Sequence, residues 1–403
     1  MAIQTERKAN DSPAMKALSC PIPISKRAFL SSFTSIARFG VLCSLLSIAR
    51  LSAQSVQGGS TLPIPSGTSV SVAEWSRDGR YLATALKPEA SVIVWSIQSS
   101  VEASGKVATK VEQRFRWGPM KEAPSALAFS PDGTKLAMCL FTGHLVILDA
   151  TFKTSSALSS TATGVENVRF IEFSHDGNLL VVGGSKTVFF NTKDNSVAHQ
   201  IASQVSTGCF SQADGIFLAV PDSFKREGLV SCRFPSLESK ILPVQDISST
   251  SSVAISPNGS QAVCDDIFGN LQFSNLGKTA FQKLTVANGQ GTPFYSPEWF
   301  DDVSVLCVSY NRSPNTVGFG LWHVQLAEKN ISRFTTLFSS VPTTGRFPSI
   351  SCKITVQPGK GDRLLFATAY SAGLADKHLL FHTFLLQDYS EMLKRFKLSP
   401  IGK

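Results

Sequence analysis

The histidines of this 403-residue chain are His144, His175, His199, His323, His378 and His382. Only His378 and His382 stand four apart, the spacing with which two imidazoles on one helix face grip a metal ion. They lie in HLLFHTFLL, an apolar run of strand character, so that spacing leaves the rings apart and they read as core or edge histidines. Gly277-Lys278-Thr279 matches the end of a phosphate-binding loop, but the position that needs the earlier glycine holds Gln272. The acidic pairs Asp265-Asp266 and Asp301-Asp302 raise the question of acid/base work. Neighbours on a strand point to opposite faces, so they read as turn or sheet-edge acids instead. Neither the G-x-S-x-G elbow of hydrolases nor the H-E-x-x-H of zinc proteases occurs. Sequons at Asn258, Asn311 and Asn330 are what chance provides in a chain this rich in Ser and Thr. The sequence therefore assigns no catalytic, cofactor-binding or metal-binding residue, and no cofactor.

The cysteines Cys20, Cys43, Cys139, Cys209, Cys232, Cys264, Cys307 and Cys352 include no C-x-x-C pair. Cys139, Cys209, Cys264 and Cys307 sit in apolar, strand-like runs, as buried free thiols of a reducing compartment do. The alternative is an extracellular disulfide framework. Net charge is +9, but Ser12 to Ala73 contains no Asp or Glu and carries Lys16, Lys26, Arg27, Arg38 and Arg50. More than half of the excess is thus N-terminal, which argues against a nucleic-acid stripe on the rest.

The elements that position these residues come from a recurring cassette. An aromatic or apolar residue, Ser, one or two further residues, Asp/Asn-Gly and then an apolar run appear as WSRDGRYLATA from Trp75 and FSPDGTKLAMC from Phe129. The pattern returns as FSHDGNLLVVG from Phe173, FSQADGIFLAV from Phe210 and ISPNGSQAVCD from Ile255. Weaker copies are YSPEWFDDVSVLCVS from Tyr295 and VQPGKGDRLLFATAY from Val356. The Asp-Gly or Asn-Gly dipeptide is read as the pair of positive-φ residues of a tight hairpin. A strand precedes each turn, its partner follows, and a third ends near Trp95, Asp149 or Phe190. The turn glycines Gly79, Gly133, Gly177, Gly215 and Gly259 are spaced by 54, 44, 38 and 44 residues, and Gly259 to Gly361 leaves 102, room for two more units. Repeats of that length, each a four-stranded unit that cannot bury both faces alone, predict an all-β, WD-type β-propeller of about seven four-stranded blades over 61–403. A β-sandwich with several Asp-Gly hairpins is the competing reading, disfavoured by the recurrence of the whole cassette.

Residues 1–60 read as an N-terminal extension: 1–25 disordered, with Pro13, Pro21 and Pro23, and 26–53 a basic, apolar helix. It fits a secretory signal interrupted by Arg38 and Arg50, a transit peptide, or an amphipathic helix docked on the propeller or a membrane surface. It does not fit a transmembrane span, since only 11 residues separate Arg38 from Arg50 where about 20 are needed.

Three stretches resemble one family. They are LPIPSGTSVSVAEWSRDGRYLATALKPEASVIVWSI from Leu62, STGCFSQADGIFLAV with CRFPSLES from Ser206, and HTFLLQDYSEMLKRFKLSPIGK from His382. These are similar to blades and the closing segment of aladin, the WD-repeat nucleoporin family, over roughly residues 62–403. The chain departs from that family in its N-terminal region, where residues 1–60 stand in place of a longer, partly helical segment and an early blade or two. The resemblance implies a non-enzymatic scaffold of the nuclear pore complex at the nuclear envelope, supporting nuclear import. Its partners would be a transmembrane nucleoporin and other pore subunits. Membrane association would be indirect, with no direct nucleic-acid contact and no small-molecule substrate. Two other classes compete: a secreted or periplasmic propeller with a cleaved signal, and a generic cytosolic WD-repeat adaptor. A propeller hydrolase is a further possibility, against which the Trp, Phe and Leu at strand positions argue, where inward-facing acids would be needed.

Overall fold

Each cassette becomes the first hairpin of a sheet. The computed structural model describes residues 60–386 apart from 102–106, 150–156, 213–214, 222–227, 243–249, 267–269, 277–281, 284–293, 300–301, 314–315, 327–329, 343–348, 357–362 and 371–377. Among the described residues every regular element is a strand, and 28 strands form seven four-stranded antiparallel sheets. Strand β1 (Ser60–Pro63) is set apart from the rest of its sheet in sequence. The first blade is β2 (Ser69–Trp75), β3 (Tyr81–Lys87), β4 (Ser91–Val101) and β5 (Val107–Trp117). The second is β6 (Pro124–Phe129), β7 (Lys135–Leu140), β8 (His144–Asp149) and β9 (Ala157–Ala162). The third is β10 (Phe170–Phe173), β11 (Leu179–Gly183), β12 (Thr187–Asn191) and β13 (Val197–Ile201). The fourth is β14 (Val205–Phe210), β15 (Ile216–Pro221), β16 (Leu229–Arg233) and β17 (Glu238–Leu242). The fifth is β18 (Thr250–Ile255), β19 (Gln261–Asp266), β20 (Leu271–Asn275) and β21 (Gln282–Lys283). The sixth is β22 (Phe294–Trp299), β23 (Ser304–Ser313), β24 (Thr316–Gln325) and β25 (Asn330–Pro342). The seventh is β26 (Ser349–Val356), β27 (Arg363–Tyr370) and β28 (His378–Leu386), completed by β1.

The first strands β2, β6, β10, β14, β18 and β22 each touch the next around the ring, β22 touches β26, and β26 returns to β2. The ring is thus a seven-bladed propeller, and both weak copies of the cassette, from Tyr295 and Val356, prove to be blade hairpins. Closure joins distant segments: Ser60 pairs with Phe381, Leu62 with Leu379 and Pro63 with His378. The helix read over 26–53 lies outside the described residues.

Both faces of a blade are covered by its neighbours, which is why strands such as KLAMCL are apolar almost throughout and buried at four consecutive positions. On one side of the first blade, Trp75, Leu82, Leu86, Ile93 and Trp95 close on Leu62 and Ile64. On its other side, Ala83, Ala85, Val92 and Val94 pack with Leu136, Met138 and Val146 of the second. Similar clusters join the second blade to the third, the third to the fourth, the fourth to the fifth and the fifth to the sixth. Within the first blade the indole of Trp95 donates to the Thr84 hydroxyl at 3.0 Å, and in the sixth that of Trp322 donates to Ser309 at 2.5 Å.

The turn differs from the one the dipeptide suggested. Gly79, Gly133, Gly177 and Gly259 have φ of 67°, 69°, 72° and 69°, but the preceding Asp or Asn does not enter the left-handed region. The glycine N–H donates to the serine carbonyl three residues back (Gly79 to Ser76, 2.9 Å), so the turn is of type I with a left-handed glycine after it. The acid has another task. Asp78 Oδ1 accepts from the Ser76 hydroxyl at 2.7 Å and from the Arg80 N–H at 3.0 Å. Asp132, Asp176 and Asn258 take the same pair of donors, and in each case the serine oxygen accepts the N–H that opens the next strand. In these four copies local side-chain bonds, fixed by a serine almost wholly buried, close the hairpin.

A second repeat escaped the sequence reading. The register of the first hairpin slips once in the first, second, fourth and fifth blades, between Val70 and Val72, Pro124 and Ala126, Val205 and Thr207, and Thr250 and Ser252. The bulged residue is a serine each time, four positions before the last residue of the strand. Ser71, Ser125 and Ser206 each donate to a carbonyl of the partner strand at 3.2–3.3 Å, which satisfies the oxygen the slip exposes.

Candidate functional site

In six blades the first strand ends on an aromatic or aliphatic residue, Trp75, Phe129, Phe173, Phe210, Ile255 or Trp299, that is buried in the core. The residue before it must take the other face. These residues are Glu74, Ala128, Glu172, Cys209, Ala254 and Glu298 in six successive blades, and all six line one cavity of about 670 Å³ where the cassette turns converge. The turns add Arg77, Pro131, His175, Gln212, Pro257 and Asp302 to its rim. Neighbouring turns touch: Asp302 accepts the Asn258 N–H at 2.9 Å, and Gly177 faces the Pro131 ring.

Four carboxylates against one guanidinium make this mouth acidic in a chain whose net charge is +9. A concave, low-dielectric wall focuses that field, so the mouth favours cationic groups. Cys209 opens onto the same cavity, but burial and then the charges of Glu172 and Glu298 push its thiol well above the ordinary range. It stays protonated and is a poor nucleophile. Burial pushes the Cys307 thiol up as well, and that of Cys139 to about 12. The mouth presents four carboxylates, and its one thiol is held in the unreactive form.

The sequence reading did not see this constellation; it took the strand positions to lack inward-facing acids. Glu74, Glu172 and Glu298 are far apart in the chain, and only alignment of the cassettes on their aromatic residue brings them to one position. Other residues singled out beforehand scatter. His378 pairs with Pro63 and His382 with Ala367 on β28, where four residues of strand span about 13 Å, too far to share a metal ion. His144 meets the Ser160 hydroxyl at 2.6 Å, His199 lies against the Phe189 ring and His175 stands on the cavity rim. Asp265 is no edge acid: it is 1% exposed and accepts from the Ser252 N–H and hydroxyl at 2.7 and 3.0 Å. Gly277-Lys278-Thr279 and Asp301 lie outside the described residues. Cys139, Cys209, Cys232, Cys264 and Cys307 take part in no disulfide. Among the described residues no helix is long and apolar enough to cross a membrane, and no three His, Cys, Asp or Glu gather as a metal site would require.

No family model and no curated protein matches the chain. Solved structures do. The RRP9 WD40 repeats align with a TM-score of 0.57 at 14% identity, over 81% of this chain and 97% of that one. The structure of U3-55K aligns at 0.56 and 14% identity, over 80% and 97%. The Myceliophteria thermophila Cps50 (Swd1) β-propeller domain aligns at 0.53 and 12%, over 81% and 100%. The chain has the WD40 β-propeller fold.

Proposed function

We propose that this chain is a non-enzymatic WD-repeat scaffold of the nuclear pore complex, similar to aladin, held at the nuclear envelope by a transmembrane nucleoporin and supporting nuclear import. The observation that carries the reading is the trio of aladin-like stretches, from Leu62, Ser206 and His382. The architecture agrees with a scaffold. Sheet faces are consumed in packing blade on blade, which leaves turns, rims and outer strands for partners, and such sites bind proteins. The serine and aspartate pairs that a hydrolase would use are spent on closing hairpins.

A fluorescently tagged full chain tests this directly. A punctate nuclear rim, with pore subunits recovered by proximity labelling, is the expected result. A diffuse cytosolic signal would reduce the reading to a generic adaptor, and a mature chain starting near Gln54 would replace it with a secreted propeller.

A further inference from the structure

Of the four cassette turns whose acid is described, three use aspartate and the fifth blade alone uses asparagine, at Asn258-Gly259. An asparagine followed by glycine is the dipeptide whose side-chain amide is most open to attack by the next backbone nitrogen, because glycine offers no side chain in the way. We infer that Asn258 is a modification site, deamidated when the turn opens and shielded while the blade is folded. In the reaction the Gly259 nitrogen loses its proton and bonds to Cγ of Asn258. Ammonia leaves with the released proton, and water opens the resulting succinimide to aspartate or isoaspartate.

The folded turn opposes each requirement. The Gly259 N–H is engaged with the Ser256 carbonyl at 2.8 Å, so the proton that the attacking nitrogen must lose is held. The side-chain oxygen accepts from the Ser256 hydroxyl, the Ser260 hydroxyl and the Ser260 N–H at 2.7–2.9 Å, which fixes the amide in one rotamer. The Asn258 N–H is itself held by Asp302 of the next blade at 2.9 Å. Asn258 is exposed, so opening needs only these local bonds to break.

The two products differ in what they do to the ring. Aspartate is the residue that the same turn carries at Asp78, Asp132 and Asp176, and its carboxylate accepts the same donors. It refolds the hairpin and adds a negative charge beside Asp302 on the cavity rim. Isoaspartate carries an extra methylene in the main chain, so Ser256, Gly259 and Ser260 no longer reach their partners together.

Peptide mapping by mass spectrometry of the full chain, incubated at neutral pH in buffer and in concentrated urea, tests the inference. Conversion at Asn258 is expected to be slower in buffer by at least about tenfold, since more than one hydrogen bond must open first. In urea it is expected to match that of Asn288-Gly289, the same dipeptide elsewhere in the chain. Equal rates in buffer and urea would overturn the shielding. The Asn258→Asp variant is expected to keep the hydrogen-exchange protection of β18 and β19; its loss would overturn the claim that the aspartate product is accommodated.

Discussion

Ser174→Ala removes one oxygen that is 0% exposed and does two jobs. Its hydroxyl donates to Asp176 at 2.6 Å and its oxygen accepts the Leu179 N–H at 2.9 Å. A hydrogen bond to a charged group contributes about 1.5–3 kcal/mol, and an N–H left without a partner costs about 1–3 kcal/mol, less where water reaches it. Leu179 is half-buried, so the sum falls at about 2–3 kcal/mol. Asp176→Asn is the control: Asn258 makes the equivalent bonds at 2.8 and 2.9 Å, so the asparagine variant loses less than about 1 kcal/mol. A ring of seven blades is not guaranteed to unfold in one step, so native-state hydrogen exchange of the β10–β11 hairpin is the assay of choice. Its amides exchange roughly 30- to 150-fold faster in Ser174→Ala and within a few fold of wild type in Asp176→Asn. If Ser174→Ala leaves exchange unchanged, or if the two variants are equally damaging, the side-chain account of the hairpin is wrong.

Three further outcomes follow from the same geometry. Burial alone would raise the carboxyls of Asp78, Asp132 and Asp176, but the N–H and hydroxyl donors around each outweigh it and hold all three below the ordinary range. Their stabilisation is present above the unfolded value near 3.9 and is lost as pH falls through the lower folded values, so acid titration by circular dichroism shows the loss below about pH 4 and the triple Asp→Asn variant shows less of it. Gly143→Ala places a Cβ 1.9 Å from the Val165 carbonyl oxygen at a φ of 86°, and its urea midpoint should fall by far more than that of Gly67→Ala, which meets no atom within 4 Å though φ is 78° there too. Thiol labelling near pH 8, read by peptide mapping, should spare Cys139, Cys209 and Cys307 until the chain is unfolded; rapid native labelling of Cys209 would contradict the protonated state assigned to it.

What could be read in the sequence was whatever repeats locally. The first five cassettes each hold a turn, a buried serine and a strand within about a dozen residues, so those blades were visible. The sixth was aligned on Tyr295, whereas its first strand runs on to Trp299. The turn type was misjudged because Asp-Gly and Asn-Gly serve two kinds of hairpin, and only the N–H donors around Asp78 and Asn258 separate them. The bulge serines repeat as faithfully as the glycines, yet serine is so common here that Ser71 and Ser125 carried no visible signal. The acidic mouth was hidden for another reason. Glu74, Glu172 and Glu298 meet only when β2, β10 and β22 are brought around one axis, and no local pattern encodes that approach.

The pairing of Ser60–Pro63 with His378–Phe381 sets a schedule for the making of the protein. The four residues of β1 leave the ribosome before any blade exists, and their partner strand is about 315 residues behind them. At synthesis rates of about 5–20 residues per second, β1 waits roughly 16–60 s for β28. During that interval Leu62, wholly buried in the finished ring, has no strand to join, and the seventh blade has no fourth member. Throughout that interval the backbone groups of β1 are an unpaired strand edge, open to mispairing until β28 arrives.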